Sequence, residues 1–440
     1  MSTTFGLRRF LGLALSAACV TVVTCHDHWV DIWACMPQQV EPYNLPNAPY
    51  NGTDGVFQNA TIRQTVYLTQ DASTIRLTFS NALGGSDLPI TAATIALPVN
   101  GTAGSPAIRK DTVQYLTFSG SRSIQIPNGA LALSDPIRFP VKAQTSVTIT
   151  VYLASGQAGH AITGHPGSRT SSWLAQGDLV SAADVNTTAT TQRIDKWFLI
   201  ASIQAWLPTS HTSLAIVGDS ITDGRGSTTN GNNRWPDQLV ARLRSSHSHS
   251  RRSSSSLDLR SISVANMAAG GNRILADGLG PNALGRVERD VLAHPGVRYA
   301  LIFEGVNDLG TAATDPAVQT AVGDRVIQAL DQMVSRLHAA GIAAFGATIT
   351  PMSGPGQAYG DPVREAQRQR VNKWIRTSGR FDAVVDFDAA VRDPKNETML
   401  SKEYDSGDYL HLNPAGYKAM AEAVDLKLFS RFSGGSSAMV

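Results

Sequence analysis

The hydrophobic pattern of this chain changes period near residue 210, which restricts it to folds built in two unlike halves. From about Gln58 to Leu207, short runs rich in Thr, Val, Ile and Tyr, such as "ATIRQTVYLT", "STIRLTFSNAL" and "SVTITVYLA", have a period of two. Gly, Asn, Pro and Ser separate them. Many short strands at this spacing predict an antiparallel all-β sandwich or jelly roll, with no helical window of useful length. After "AWLPTSHTS", apolar runs begin at Leu214, Ser261, Tyr299, Ile342 and Ala383. They alternate with helical windows near Trp235–Arg244, Pro316–Ala340, Asp361–Thr377 and Pro414–Phe429. That alternation predicts an α/β domain: a three-layer α/β/α arrangement around a parallel sheet, with ligands at the carboxyl ends of the strands. A length of 440 residues suits two domains, here 25–210 and 211–440.

The last helical window is the best specified. Asn413 suits the N-cap and Pro414 the first turn. Tyr417, Met420, Ala421, Val424 and Leu428 then recur on one face. The segment "DYLH" is thereby placed on a loop just before a helix.

Residues 1–24 read as a secretory signal: Arg8 and Arg9 precede the apolar run Phe10 to Val23, which is short for a membrane span. Secretion places the remaining cysteines, Cys25 and Cys35, in an oxidising compartment where they are candidates to pair. Sequons at Asn51, Asn59, Asn100, Asn186 and Asn396 fit a secreted glycoprotein. The tail "SRFSGGSSAMV" lacks the hydrophobic stretch of a lipid-anchor signal. A net charge of +2 gives no electrostatic reason for a nucleic-acid or anionic-membrane partner. "HDH" at His26 to His28, and His247 and His249 in the polar insertion Ser245 to Ser256, are poor metal sites because no acidic cluster or third ligand accompanies them. No metal or organic cofactor is expected, and oligomeric state is left open.

Four short segments carry chemistry. "AIVGDSITDG" runs a strand into Ser220. This is not the G-x-S-x-G elbow of the α/β-hydrolases. "NMAAGGNRIL" follows the second strand, where Gly270 or Gly271 is free to present a backbone N–H. "EGVNDLG" ends the third strand and offers the Asn307 amide as another donor. "DYLHLNP" brings Asp408 and His411 three residues apart. An acyl-transfer serine needs a base for its proton and a carboxylate to orient that base. Asp219, Asp223, Asn272 and Arg273 flank these segments and are read as loop-holding side chains. Trp235 is read as core.

In these four segments, taken in order, the sequence resembles the SGNH hydrolases, the GDSL esterase and lipase family, over roughly Leu214 to Phe429. The resemblance implies Ser220 as nucleophile, His411 as general base and Asp408 as its orienting acid. It also implies an oxyanion hole from the Ser220 N–H, the Gly271 N–H and the Asn307 side chain. "WVDIWACMPQ", "IRQTVYLT" and "RLTFSNALGGSDLPI" look similar to the β-rich domain of a secreted subgroup. That likeness implies an esterase removing short acyl groups, acetyl above all, from plant cell-wall polysaccharide. The alternatives are a lipase or acylhydrolase for longer chains and an inactive polysaccharide-binding protein.

Overall fold

The computed structural model describes residues 27–246 and 257–436. The signal segment, Cys19, Cys25, His26, His247 and His249 lie outside the described residues. The first half is all β apart from short 3-10 turns. One antiparallel sheet is centred on Ala72–Ser80 and Ile200–Leu207, and a second on Ala60–Tyr67 and Ser146–Leu153. Period-two patterning turns Ile62, Ile75, Leu77, Ile149, Val151 and Ile203 into one shared core, each no more than 1% exposed. Leu88–Ile90 and Ala92–Ala96 are separate strands, one residue apart, that pair with different partners.

The second half is built on five parallel strands: β1 (Thr212–Gly218), β2 (Ile262–Ala268), β3 (Val297–Phe303), β4 (Ala343–Ala347) and β5 (Ala383–Val385). Their order across the sheet is β2-β1-β3-β4-β5. In β1, Leu214 to Val217 are fully buried, which explains an apolar run without alternation. The helix α1 (Ser220–Asp223) follows β1 at once, and α2 (Trp235–Ser245) packs against the helix Pro414–Ala423. On β3 follow α3 (Val306–Thr311) and α4 (Pro316–Ala339), and the latter packs along α5 (Pro362–Thr377). Three of the five strands, β1, β2 and β3, thus end beside the segments that carry Ser220, Gly271 and Asn307.

The last helical window differs from expectation. α6 (Pro414–Ala423) is capped as expected by Asn413, whose side chain accepts the N–H groups of Ala415 and Gly416. It stops at Val424, and a short helix resumes over Lys427–Arg431 after the Asp425 side chain accepts the Lys427 N–H. The apolar period survives because Val424 and Phe429 reach the same core from either side of the break.

The halves share an edge. The strand His28–Ala34 pairs with Ile200–Leu207 and lies beside β2, the outer strand of the parallel sheet. Ser263 Oγ donates to the Asp31 carbonyl (2.5 Å), and the Val264 N–H reaches Thr69 Oγ1 (3.2 Å). A bridge joins Cys35 to Asn266. Cys35 is a free, buried thiol whose pKa burial pushes well up. The sequon residues Asn59, Asn100, Asn186 and Asn396 are exposed, and Asn51 is half-buried. Among the described residues no helix is long and apolar enough to cross a membrane.

Candidate active site

At the end of β1, Asp219 leaves helical geometry and its carboxylate accepts the Ile221 N–H at 2.9 Å, capping α1. Burial raises the pKa of the Asp219 carboxyl, and the nearby Asp308 and Asp223 add to that effect. Ser220 is therefore the first helical residue, and its N–H has no acceptor within the helix. Ser220 Oγ stands 2.7 Å from His411 Nε2, and His411 Nδ1 stands 2.6 Å from Asp408 Oδ2. A carboxylate only accepts, so Nδ1 carries the hydrogen and Nε2 of the neutral ring is left to accept from the serine hydroxyl. The other oxygen, Asp408 Oδ1, accepts the N–H groups of Leu410 (3.1 Å) and His411 (2.8 Å). One side chain thus fixes both the imidazole and the peptide that carries it.

Burial works to raise the pKa of Asp408. The hydrogen bonds from the His411 ring and its N–H outweigh it and hold the carboxyl well below the usual range. Asp408 stays ionised wherever the protein operates. The acid limb of kcat/KM should then carry no ionisation from Asp408 and have a limiting slope of about one on logarithmic axes. A pH–rate profile tests this, and a slope near two would bring in a second essential carboxylate.

The glycine segment after β2 turns through Gly271, in the left-handed region at φ 73°, where an added Cβ would collide with the Leu279 side chain. Asn272 holds the turn by donating to the carbonyls of Leu279 (3.2 Å) and Pro281 (2.8 Å). Asp308 accepts the N–H groups of Ile274 and Leu275, both at 2.9 Å. Asn307 enters from α3 behind Gly305, whose φ of 115° lets the chain turn off β3. Its Nδ2 donates to the Asn272 carbonyl (2.9 Å), and its Oδ1 accepts from the Tyr359 hydroxyl (3.0 Å). The Asn272 carbonyl, which only accepts, fixes which end of the amide is nitrogen, leaving one N–H for a ligand.

Ser220, His411, Gly270, Gly271 and Asn307 border one cleft of about 460 Å³. A larger hollow of about 670 Å³ borders Asp71, His211 and Arg244 and contains none of these groups. Asp219, Asn272 and Arg273 hold loops, as expected of them. Trp235 is fully buried. Asp223 does something the sequence did not indicate: its Oδ1 lies 2.9 Å from Nε2 of His165, a residue of the first half. His165 Nδ1 is bonded to the Met36 carbonyl (3.0 Å), so both ring nitrogens are engaged, one within the first half and one across to the second. Among the described residues no group of His, Cys, Asp and Glu is arranged to hold a metal.

Residues 216–419 match the model of the GDSL-like lipase/acylhydrolase family. This part of the chain is a GDSL-like hydrolase domain. The family is one of carboxylic ester hydrolases. No curated protein matches the chain. Among solved structures, a catalytic mutant of Axe2, an acetylxylan esterase from Geobacillus stearothermophilus, is similar at 22% identity with a TM-score of 0.36; the match covers 51% of this chain and 95% of that one. The acetyl xylan esterase AlAXEase is similar at 16% identity and TM-score 0.35, over 48% of this chain and 96% of its own. A GDSL-like lipase from Bacteroides thetaiotaomicron is similar at 14% identity and TM-score 0.34, over 49% and 87%.

Two supporting residues of the GDSL domain escaped the sequence reading. Tyr359 sits in an irregular segment before α5 and gives no periodic signal. Arg286 is fully buried and donates to the Met267 carbonyl (2.7 Å), Asp290 (3.1 Å), Asn272 Oδ1 (3.0 Å) and the Gly218 carbonyl (3.4 Å). Its one visible signal was an arginine within the apolar stretch "NALGRVERDV".

Proposed function

We propose that the protein is a secreted serine esterase that removes short acyl groups, acetyl above all, from plant cell-wall polysaccharide. The observation that carries this reading is the hydrogen-bonded chain Ser220–His411–Asp408 at the base of an open cleft. Ser220 Oγ attacks the ester carbonyl as its proton passes to His411 Nε2, and Asp408 steadies the imidazolium that forms. The carbonyl oxygen becomes an oxyanion, to which the N–H groups of Ser220 and Gly271 and the Asn307 amide donate. His411 then protonates the leaving alcohol. Water attacks the acyl-serine by the same route in reverse, releasing the acid and restoring the serine.

Asn307→Ala should lower kcat by on the order of 10²–10³, the usual cost of one oxyanion donor. Tyr359→Phe should lower it less, because the amide keeps its bond to the Asn272 carbonyl and loses only the tyrosine hydroxyl. An unchanged kcat in Asn307→Ala would remove that residue from the site.

The short-acyl reading is supported by a cleft with few apolar linings, among them Leu279 and Leu410, and by no long apolar segment near the four motifs that resembles a lid. Secretion is proposed from the sequence of residues 1–24. Hydrolysis of p-nitrophenyl esters from acetate to palmitate tests the acyl preference. kcat/KM should be highest at acetate and fall steeply beyond butyrate; a maximum at eight carbons or more would make the protein a lipase.

A further inference from the structure

The cleft is not built by the GDSL domain alone. A 3-10 turn of the first half, Pro42–Asn44, hangs at its mouth and contributes Glu41, Tyr43 and Asn44 to the lining, with Gln38 beside them. Glu41 organises the turn: Oε1 accepts from Gln38 Nε2 and Oε2 from Asn44 Nδ2, both at 2.8 Å. The carboxylate and the two amides are thereby fixed relative to one another without a bound ligand. Tyr43 projects from the same turn with 74% of its surface exposed, the largest exposure of any big hydrophobic side chain among the described residues. An aromatic ring left in water on a rigid turn beside a nucleophile is an unusual use of apolar surface.

These features fit one chemistry. A pyranose has an apolar C–H face and an edge of hydroxyl groups, which suits an aromatic ring flanked by fixed amide and carboxylate groups. A long acyl chain would instead require a continuous apolar wall, which this turn does not provide. We infer that the turn Glu41–Asn44 is a sugar subsite: Tyr43 takes the face of a pyranose, while Gln38, Glu41 and Asn44 take its hydroxyls. The first half is then part of the substrate site. The inference rests on the reading of the protein as an esterase of acylated carbohydrate, and supplies the surface that recognises the carbohydrate.

The test compares two substrates: p-nitrophenyl acetate, which has no sugar, and acetylated xylo-oligosaccharide. In Tyr43→Ala the ratio of kcat/KM for the oligosaccharide to that for p-nitrophenyl acetate should fall roughly tenfold from the wild-type ratio, mainly through KM. Tyr43→Phe should preserve the ratio, because the ring face remains, and Asn44→Ala should lower it. Tyr43 is on the surface, so hydrolysis of p-nitrophenyl acetate also reports that the variants are folded. A wild-type ratio in Tyr43→Ala and Asn44→Ala would overturn the subsite while leaving the esterase reading intact. A wild-type protein that cleaves p-nitrophenyl acetate but no acetylated sugar would overturn the carbohydrate reading, and the subsite with it.

Discussion

Ser220→Ala should reduce hydrolysis of p-nitrophenyl acetate by on the order of 10⁶ in kcat, leaving only what the oxyanion donors and binding achieve with water as nucleophile. The size follows from the geometry. The hydroxyl lies 2.7 Å from a buried imidazole already held in the right tautomer by Asp408, so the proposed nucleophile, base and orienting acid would act as one unit. His411→Ala should therefore cost about as much, and the double variant little more than either single one. Simple multiplication of the two losses would mean that the residues act independently. The fold should survive in Ser220→Ala, since the α1 cap comes from the Asp219 side chain. Unchanged circular dichroism would separate lost chemistry from lost structure.

Arg286→Met should be the most damaging substitution for stability, by roughly 3–5 kcal/mol, the range for removing one partner of a buried ion pair. Arg286 lies between Asp290 and Glu304, and all three side chains are fully buried. Burial and the neighbouring Asp219 push the Glu304 carboxyl well up, and Arg286 is the charge that opposes them. Without it, Glu304 takes up a proton, while the Gly218 carbonyl and the Asn272 side chain lose a donor. The strand end before the nucleophile and the turn carrying Gly271 are then both loosened. Thermal denaturation should show a midpoint lower by about 10 °C. A shift below about 2 °C would mean that the surroundings relax around a neutral side chain at little cost.

Much of the second half was legible because its signals are local. Mainly apolar runs mark β1 to β4, and the residues that end them fall at the carboxyl edge of the sheet by topology alone. Asp408 and His411 were visible together because three residues separate them on one loop. The residues around them were not, because their roles arise from contacts distant in sequence. Tyr359 meets Asn307 across 52 positions and His165 meets Asp223 across 58. Period-two patterning reveals that the first half is β, but not that the turn after its first strand reaches the cleft. Nor does apolar spacing show where a helix breaks, as at Val424, when both segments feed the same core.

The strand His28–Ala34 beside β2 makes the two halves poor candidates for separation. A catalytic fragment cut near residue 210 would carry an uncovered outer strand, with the Val264 N–H stripped of its partner and Ser263 Oγ left with the Thr212 carbonyl alone. Uncovered strand edges recruit one another, so such a fragment would be prone to self-association as well as missing one wall of its cleft. Engineering that shortens this protein to its hydrolase portion must therefore redesign that edge, or retain the residues that seal it.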